Sequence, residues 1–381
     1  MKLIKNGTVY TMTQKEPVVA DILIRDGKIE QIGKDLVVNG VDDVIDATGY
    51  RVYPGMIDCH CHIGMFEEAM GFEGNDANES TDPITPQLRG LDAVNPLDPA
   101  FSEAAHAGIT TVCTGPGSAN VVGGTFVVLK TVGSCVDEMV VKENAAMKCA
   151  FGENPKRNYR GKNNNTRMAT AAKLRELLFK TNEYSLKLNE AQKDPSRRPA
   201  FDMKLNAMLP VIKGQMPLKA HAHRADDICT AIRIAKEFGL KLTLEHVTDG
   251  QLIIPQLKKA DVPLAVGPNL VGRSKVELRN MSFETPGVLS KAGLQVSIIT
   301  DAPVVPQKYL AMSAALAVRS GMDSYEAMKA ITINPAKHLG LQDRLGTLEV
   351  GKDADMMITD GDPLDLFTTV CKVLINGEVV E

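Results

Sequence analysis

The chain has 381 residues, 44% of them hydrophobic and 24% charged, with a formal net charge of −4. That length suits an α/β barrel with a modest appendage. The slightly acidic balance offers no footprint for nucleic acid, and no stretch approaches the roughly 18 apolar residues of a membrane span. The chain is therefore expected in the cytoplasm, free of membrane and nucleic-acid partners.

The opening MKLIKNGTVYTM alternates as a strand does. Residues 1–54 read as short strands joined by glycine turns: Lys2 to Asn6, Val18 to Arg25, a turn at Asp26-Gly27, Ile29 to Ile32 and Asp43 to Asp46. From about Tyr53, short apolar runs alternate with helical stretches, the rhythm of βα units and a parallel sheet. Eight runs serve as barrel strands: Gly55 to Cys59, Ile109 to Thr114, Thr125 to Leu129, Ala146 to Phe151, Pro217 to Ala220, Lys241 to Leu244, Val262 to Val266 and Gln295 to Ile299. Pro155 to Thr166 (PKRNYRGKNNNT) is polar and reads as a long loop over one barrel end. Strands return at Ala354 to Thr359 and Lys372 to Ile375, before the turn Asn376-Gly377. The expected fold is α/β: a (β/α)8 TIM barrel over 55–345, with a small β-sandwich domain formed from both termini, 1–54 and 346–381.

Seven cysteines, an odd number without paired spacing, point to reduced thiols. Cys59-His60-Cys61-His62 resembles half a zinc finger, but no second Cys/His pair stands at finger distance. The histidines carry the stronger chemistry. In a strand, residues i and i+2 share a face, so His60 and His62 can converge on one ion. Five of the seven histidines fall at C-terminal ends of expected strands, where barrel active sites are assembled. His221 and His223 follow Pro217 to Ala220, and His246 follows Leu242 to Glu245. His106 and His338 sit in helix-like stretches and read as structural. Asp301 ends the run from Val296. A lone Asp there is usually a cap or turn residue, but beside these histidines it suits general acid/base work.

With these residues in view, the chain resembles the amidohydrolase superfamily, in the branch of imidazolonepropionase and Xaa-Pro dipeptidase-like enzymes. IKNGTVYTM, DILIRDGKIEQIG and DATGYRVYPGMIDCHCH at the start, with GTLEVGKDADMMITDGDPLD and VLINGEVV at the end, are similar to that family's framing segments. The resemblance implies one or two divalent metals held by His60, His62, His221, His246 and Asp301, with His223 beside the substrate. Many relatives bridge their metals with a carbamylated lysine after strand four. Here the matching region reads Met147-Lys148-Cys149-Ala150-Phe151-Gly152-Glu153, and Glu153 is the expected bridge, by likeness to adenine deaminases; Lys130 is the alternative.

Lys156, Arg157 and Tyr159 are candidates for holding a substrate carboxylate, against the reading of a solvated basic loop. Gly115, Gly117, Gly123 and Gly124 either admit backbone amides to an anion or make tight turns. The expected reaction cleaves a C–N bond of a small molecule, an amide, cyclic amide or dipeptide. Asp301 moves the proton, and His246 or His223 steadies the oxyanion. Deamination of a nitrogen heterocycle and a non-catalytic scaffold of the same fold are the rival readings. Zinc suits the ligands, as do manganese, iron or cobalt. A homo-oligomer is expected.

Overall fold

The computed structural model describes residues 1–68 and 70–381. From the N-terminus, β1 (Lys2–Val9), β2 (Val18–Arg25), β3 (Lys28–Gly33), β4 (Asp43–Asp46) and β5 (Arg51–Pro54) start one sheet. A second sheet follows: β6 (Met56–Cys61), β7 (Ile109–Thr114), β8 (Val122–Lys130), β9 (Val140–Ala150), β10 (Leu218–Ala222), β11 (Leu242–His246), β12 (Leu264–Val266) and β13 (Val296–Ile298). Then β14 (Met356–Thr359), β15 (Val370–Ile375) and β16 (Glu378–Val379) rejoin the first. The terminal segments thus form one eight-stranded sheet, ordered β16-β15-β14-β5-β1-β2-β3 with β4 beside β1. Its apolar side chains, among them Ile4, Ile22, Val52, Met356 and Leu374, bury a core of their own.

The second sheet runs in chain order from β6 to β13 and is nearly closed. Its two edges meet through the His62 amide, which donates to the Ala302 carbonyl at 2.7 Å. Outside it pack helices such as Ala225–Phe238, whose Ile228, Ala231, Ile234 and Ala235 recur at helical spacing and are buried with Leu218, Ala220 and Leu244. Gly239 in the left-handed conformation ends that helix. Among the described residues no helix is long and apolar enough to cross a membrane.

The barrel differs from the expected all-parallel sheet at one strand: β8 is antiparallel to both β7 and β9. The reason is length. Residues 115–121 join β7 to β8, and 131–139 join β8 to β9 with only the helix Val136–Met139 between them. A parallel partner needs a crossover of about a dozen residues or more. The reversal sends Lys130 to the end of the barrel opposite the C-termini of the other strands. There its Nζ pairs with Asp355 and stands 3.1 Å from Asp353, which Lys28 and Arg344 also hold, so the cluster ties barrel to terminal sheet. The expected loop at 155–166 is shorter than thought: the helix Glu153–Asn158 enters it, and Arg167–Ala191 is one long helix capped by Thr166.

Candidate metal centre

Strand alternation makes the barrel interior polar. On β10, Leu218, Ala220 and Ala222 join the outer apolar core, leaving Lys219 and His221 for the inside. On β9 and β11 the same alternation turns Lys148, Thr243 and Glu245 inward, and all three are buried. His246 follows Glu245 directly and would face away in a regular strand. Its φ of +75° swings it back, and Asp301 ends its strand with φ +53°, so two non-glycine residues in the sparsely used left-handed region stand at the mouth. On β6 one extra residue lies between Asp58, opposite Val112, and Cys61, opposite Thr114. Such a bulge re-aims side chains. Asp58 locks it: Oδ1 accepts from the His60 amide at 3.0 Å, and Oδ2 from the Thr300 amide, the Thr300 hydroxyl and Gln307 at 3.0, 2.7 and 2.8 Å. Burial pushes its carboxyl up, against the pull of those bonds.

Two sets of donor atoms converge at the mouth. His60, His62 and Asp301 form one, His221, His223 and His246 the other. Asp301 Oδ1 lies 3.4 Å from His60 Nε2 and 3.1 Å from His62 Nε2. His62 Nδ1 is 2.6 Å from the Gly115 carbonyl and His246 Nδ1 is 2.8 Å from that of Gly267. A carbonyl only accepts, so both Nδ1 atoms carry the proton and both Nε2 lone pairs face the site. Burial holds His60 down to about 3 and His246 to about 4, so these imidazoles are neutral. Both nitrogens of His221, Nε2 of His246 and Oδ1 of Asp301 are buried without a hydrogen-bond partner. Orphaned neutral imidazoles around a carboxylate are the donor set a divalent cation needs.

Lys148 stands beside the first set. Fully buried on β9, its Nζ is 3.3 Å from His60 Nε2. In register beside it on β10 is Lys219, also buried, and Phe126 lies under both ammonium groups, 5.3 and 5.4 Å from its centroid. Their proton affinities diverge. Lys219 is 2.9 Å from Glu245, which holds its ammonium above the usual range against burial, whereas burial brings Lys148 down to about 8.

Other sequence candidates fall elsewhere. Glu153 is absent from both donor sets. It opens its short helix, its amide donates to Glu277 at 2.9 Å, and its surroundings are Lys156, Arg157 and Arg160 in a shallow surface depression. Gly152, at φ +84°, turns the chain off the barrel before Glu153 is reached. Lys130 is at the opposite barrel end. Tyr159 is fully buried, its hydroxyl 2.6 and 2.9 Å from the Glu79 and Asp82 carbonyls, and is not among the residues that line the cavity. Lys156 faces the depression, whereas Arg157 reaches the cavity of about 760 Å³ above the donor sets, with His223, Asn154 and Lys275. Gly117 uses its amide on the Ala77 carbonyl, and a Cβ on Gly115 would stand 2.3 Å from Phe126, so these glycines serve close packing rather than anion binding. Lys148, Asp58 and Lys275 were missed. Lys148 had a sequence signal, a lone lysine inside an apolar run on the fourth expected strand.

The amidohydrolase family model matches residues 51–380. The chain belongs to the amidohydrolase family. That family acts as hydrolases of carbon–nitrogen bonds. A crystal structure of an amidohydrolase from Thermotoga maritima is 42% identical, covers 100% of both chains and superposes with a TM-score of 0.97. Amidohydrolase tasK from Hapsidospora irregularis is 26% identical over 94% of this chain and 39% of its own length. D-hydantoinase from Geobacillus stearothermophilus is 55% identical over 17% of this chain and 13% of its own. The chain therefore spans well under half the length of these curated relatives.

Proposed function

We propose that this family member is a metal-dependent hydrolase that cleaves the C–N bond of a small amide, cyclic amide or dipeptide. The observation that carries the reading is the pair of buried donor sets at the barrel mouth, with the buried Lys148 beside His60. His60, His62 and Asp301 would hold one divalent ion and His221 and His246 a second, zinc being the best match to imidazole and carboxylate donors. Lys148, rather than Glu153, would supply the bridging ligand: as a neutral amine it adds CO2 to give a carbamate and a proton, and the carbamate would offer oxygen donors beside His60. A bound ion supplies Lewis-acid polarisation of the scissile carbonyl and acidifies water toward a pKa of about 7.

The chain's own residues do the rest. Asp301 accepts the proton of the attacking water and delivers it to the departing nitrogen. His246 cannot donate to the oxyanion, because its proton is on Nδ1 toward Gly267. His223 is the candidate: when its Nδ1 accepts from the Thr248 hydroxyl, 2.8 Å away, its proton is on Nε2 beside the cavity it lines. Arg157, without an ion-pair partner among the described residues, favours a substrate with an anionic end. The hydantoinase likeness supports cyclic amides in the panel. Deamination rested on Glu153 as bridge and loses its support with it. The test is turnover of dipeptides, N-acyl amino acids and cyclic amides by zinc-loaded protein, beside Asp301→Asn. Asp301→Asn should lose roughly 10²–10⁴-fold in kcat with metal largely kept, because an amide oxygen still ligates. Undiminished turnover would remove Asp301 from the reaction.

A further inference from the structure

Behind the donor sets lies a second cluster of buried ionisable groups that the reaction itself does not use. Glu245, on β11, is fully buried inside the barrel. Its Oε1 accepts from the Thr243 hydroxyl at 2.7 Å and lies 3.1 Å from His338 Nε2. Its Oε2 lies 2.9 Å from Lys219 Nζ and 3.2 Å from His60 Nδ1. Lys219 is itself anchored, donating to the Cys59 carbonyl at 2.9 Å. Four elements therefore meet on one carboxylate: β6 through His60, β10 through Lys219, β11, and the helix Ile333–His338.

The geometry around His60 gives this cluster a direction. Its Nε2 faces Asp301 and Lys148, and its Nδ1 faces Glu245. The Nδ1 contact lies within ion-pair distance yet off the line of a directed hydrogen bond, and neither Nδ1 nor Oε2 completes one elsewhere. A lone carboxylate could not stay ionised at this depth. The Lys219 ammonium, 2.9 Å from Oε2, supplies the countercharge. His62 and His246 take backbone carbonyls as acceptors for Nδ1–H; the nearest acceptor for His60 is a charged side chain.

We infer that Glu245 is a positioning residue: ion-paired with Lys219 and braced by His338, it takes the Nδ1–H of His60 and so fixes the tautomer that offers Nε2 to a divalent cation. This rests on the reading of His60 as a metal ligand. A carboxylate behind a ligating imidazole raises the imidazole's basicity, and its loss typically weakens metal binding 10- to 100-fold. The effect is specific to one side of the centre, since His221 and His246 do not touch Glu245 within hydrogen-bond reach.

The test is zinc titration of metal-free protein by calorimetry. Wild type should take up zinc in two classes. Glu245→Gln should weaken the His60-side class about 10- to 100-fold and leave the other within experimental scatter. A folded Glu245→Gln protein with unchanged affinity in both classes overturns the inference, as does equal weakening of both, the mark of general damage. If Glu245→Gln does not fold, Glu245→Gln/Lys219→Met removes the charge pair together and is read the same way. Histidine-selective ¹⁵N spectra of zinc-loaded wild type, with only seven histidines to assign, decide independently of any variant. His60 protonated at Nδ1 is expected, and a bare Nδ1 contradicts it. Wild type that binds no zinc removes the metal reading itself, which is a different failure.

Discussion

The two ends of the barrel both bury charge, and they do it in opposite ways. At the lower end Lys130, Lys28 and Arg344 surround Asp353 and Asp355, and none of the atoms of this cluster is orphaned. At the mouth, nitrogens of His60, His221 and His246 and Oδ1 of Asp301 are buried without directed partners. A completed cluster is a joint between two sheets. An incomplete one, whose orphaned atoms sit on imidazoles and a carboxylate gathered about one point, is built for something from outside. The contrast teaches that buried ionisable residues mark a site here only where their hydrogen bonding is unfinished.

The largest effect that sharpens this contrast is on chemistry. Asp301→Asn should lose the roughly 10²–10⁴-fold in kcat that a proton-transfer residue contributes, while Lys130→Met, at the completed end, keeps per-molecule kcat and metal content. The reverse effect belongs to stability. Lys130→Met leaves Asp353 and Asp355 short of their buried cation and should cost on the order of 3–5 kcal/mol, read from chemical denaturation. A neutral result there would make the lower cluster ornamental. Metal removal gives an intermediate effect. Chelation should lower the unfolding free energy by about 2.7 kcal/mol for a site held at 100 times its Kd, and His62→Ala should blunt that shift.

The pH dependence of the lower joint has a defined sign. Asp353 is held at about 2, because Lys130 and the other cations outweigh the effect of burial. A depressed carboxylate contributes its full stability above its unfolded pKa of about 3.9 and loses it as the pH falls toward 2. The wild-type Tm should fall more steeply from pH 4 to pH 2 than that of Asp353→Asn; parallel curves would contradict the ion pairing. The smallest effect is Tyr159→Phe, expected to cost about 0.5–1.5 kcal/mol through the lost bond to the Glu79 or Asp82 carbonyl, with KM unchanged.

Much of the fold was legible in the sequence. Each of the eight apolar runs lies in or overlaps a barrel strand, because continuous apolar runs bounded by turns carry the signal of strands buried on both faces. Direction was not legible. A run reads alike upward and downward, so nothing local to Thr125–Leu129 tells that β8 descends and carries Lys130 away from the mouth. Register decided the fate of the lysine on β9. Read by position alone, Glu153 sits at the strand's end and Lys148 inside it. Only alternation across β9, with Met147 and Cys149 packed outward, shows Lys148 facing the donor sets. Tyr159 was assigned by its neighbourhood in the chain, and its burial beneath the carbonyls of residues 79 and 82 depends on contacts far apart in sequence.

The most direct measurement is metal content per subunit by elemental analysis of wild type, Lys148→Ala and Glu153→Ala, each reconstituted with zinc and bicarbonate. About two metals in wild type and in Glu153→Ala, with loss in Lys148→Ala, is the expected pattern for a lysine-bridged pair. Loss in Glu153→Ala with full content in Lys148→Ala would contradict the assignment of the bridge to Lys148.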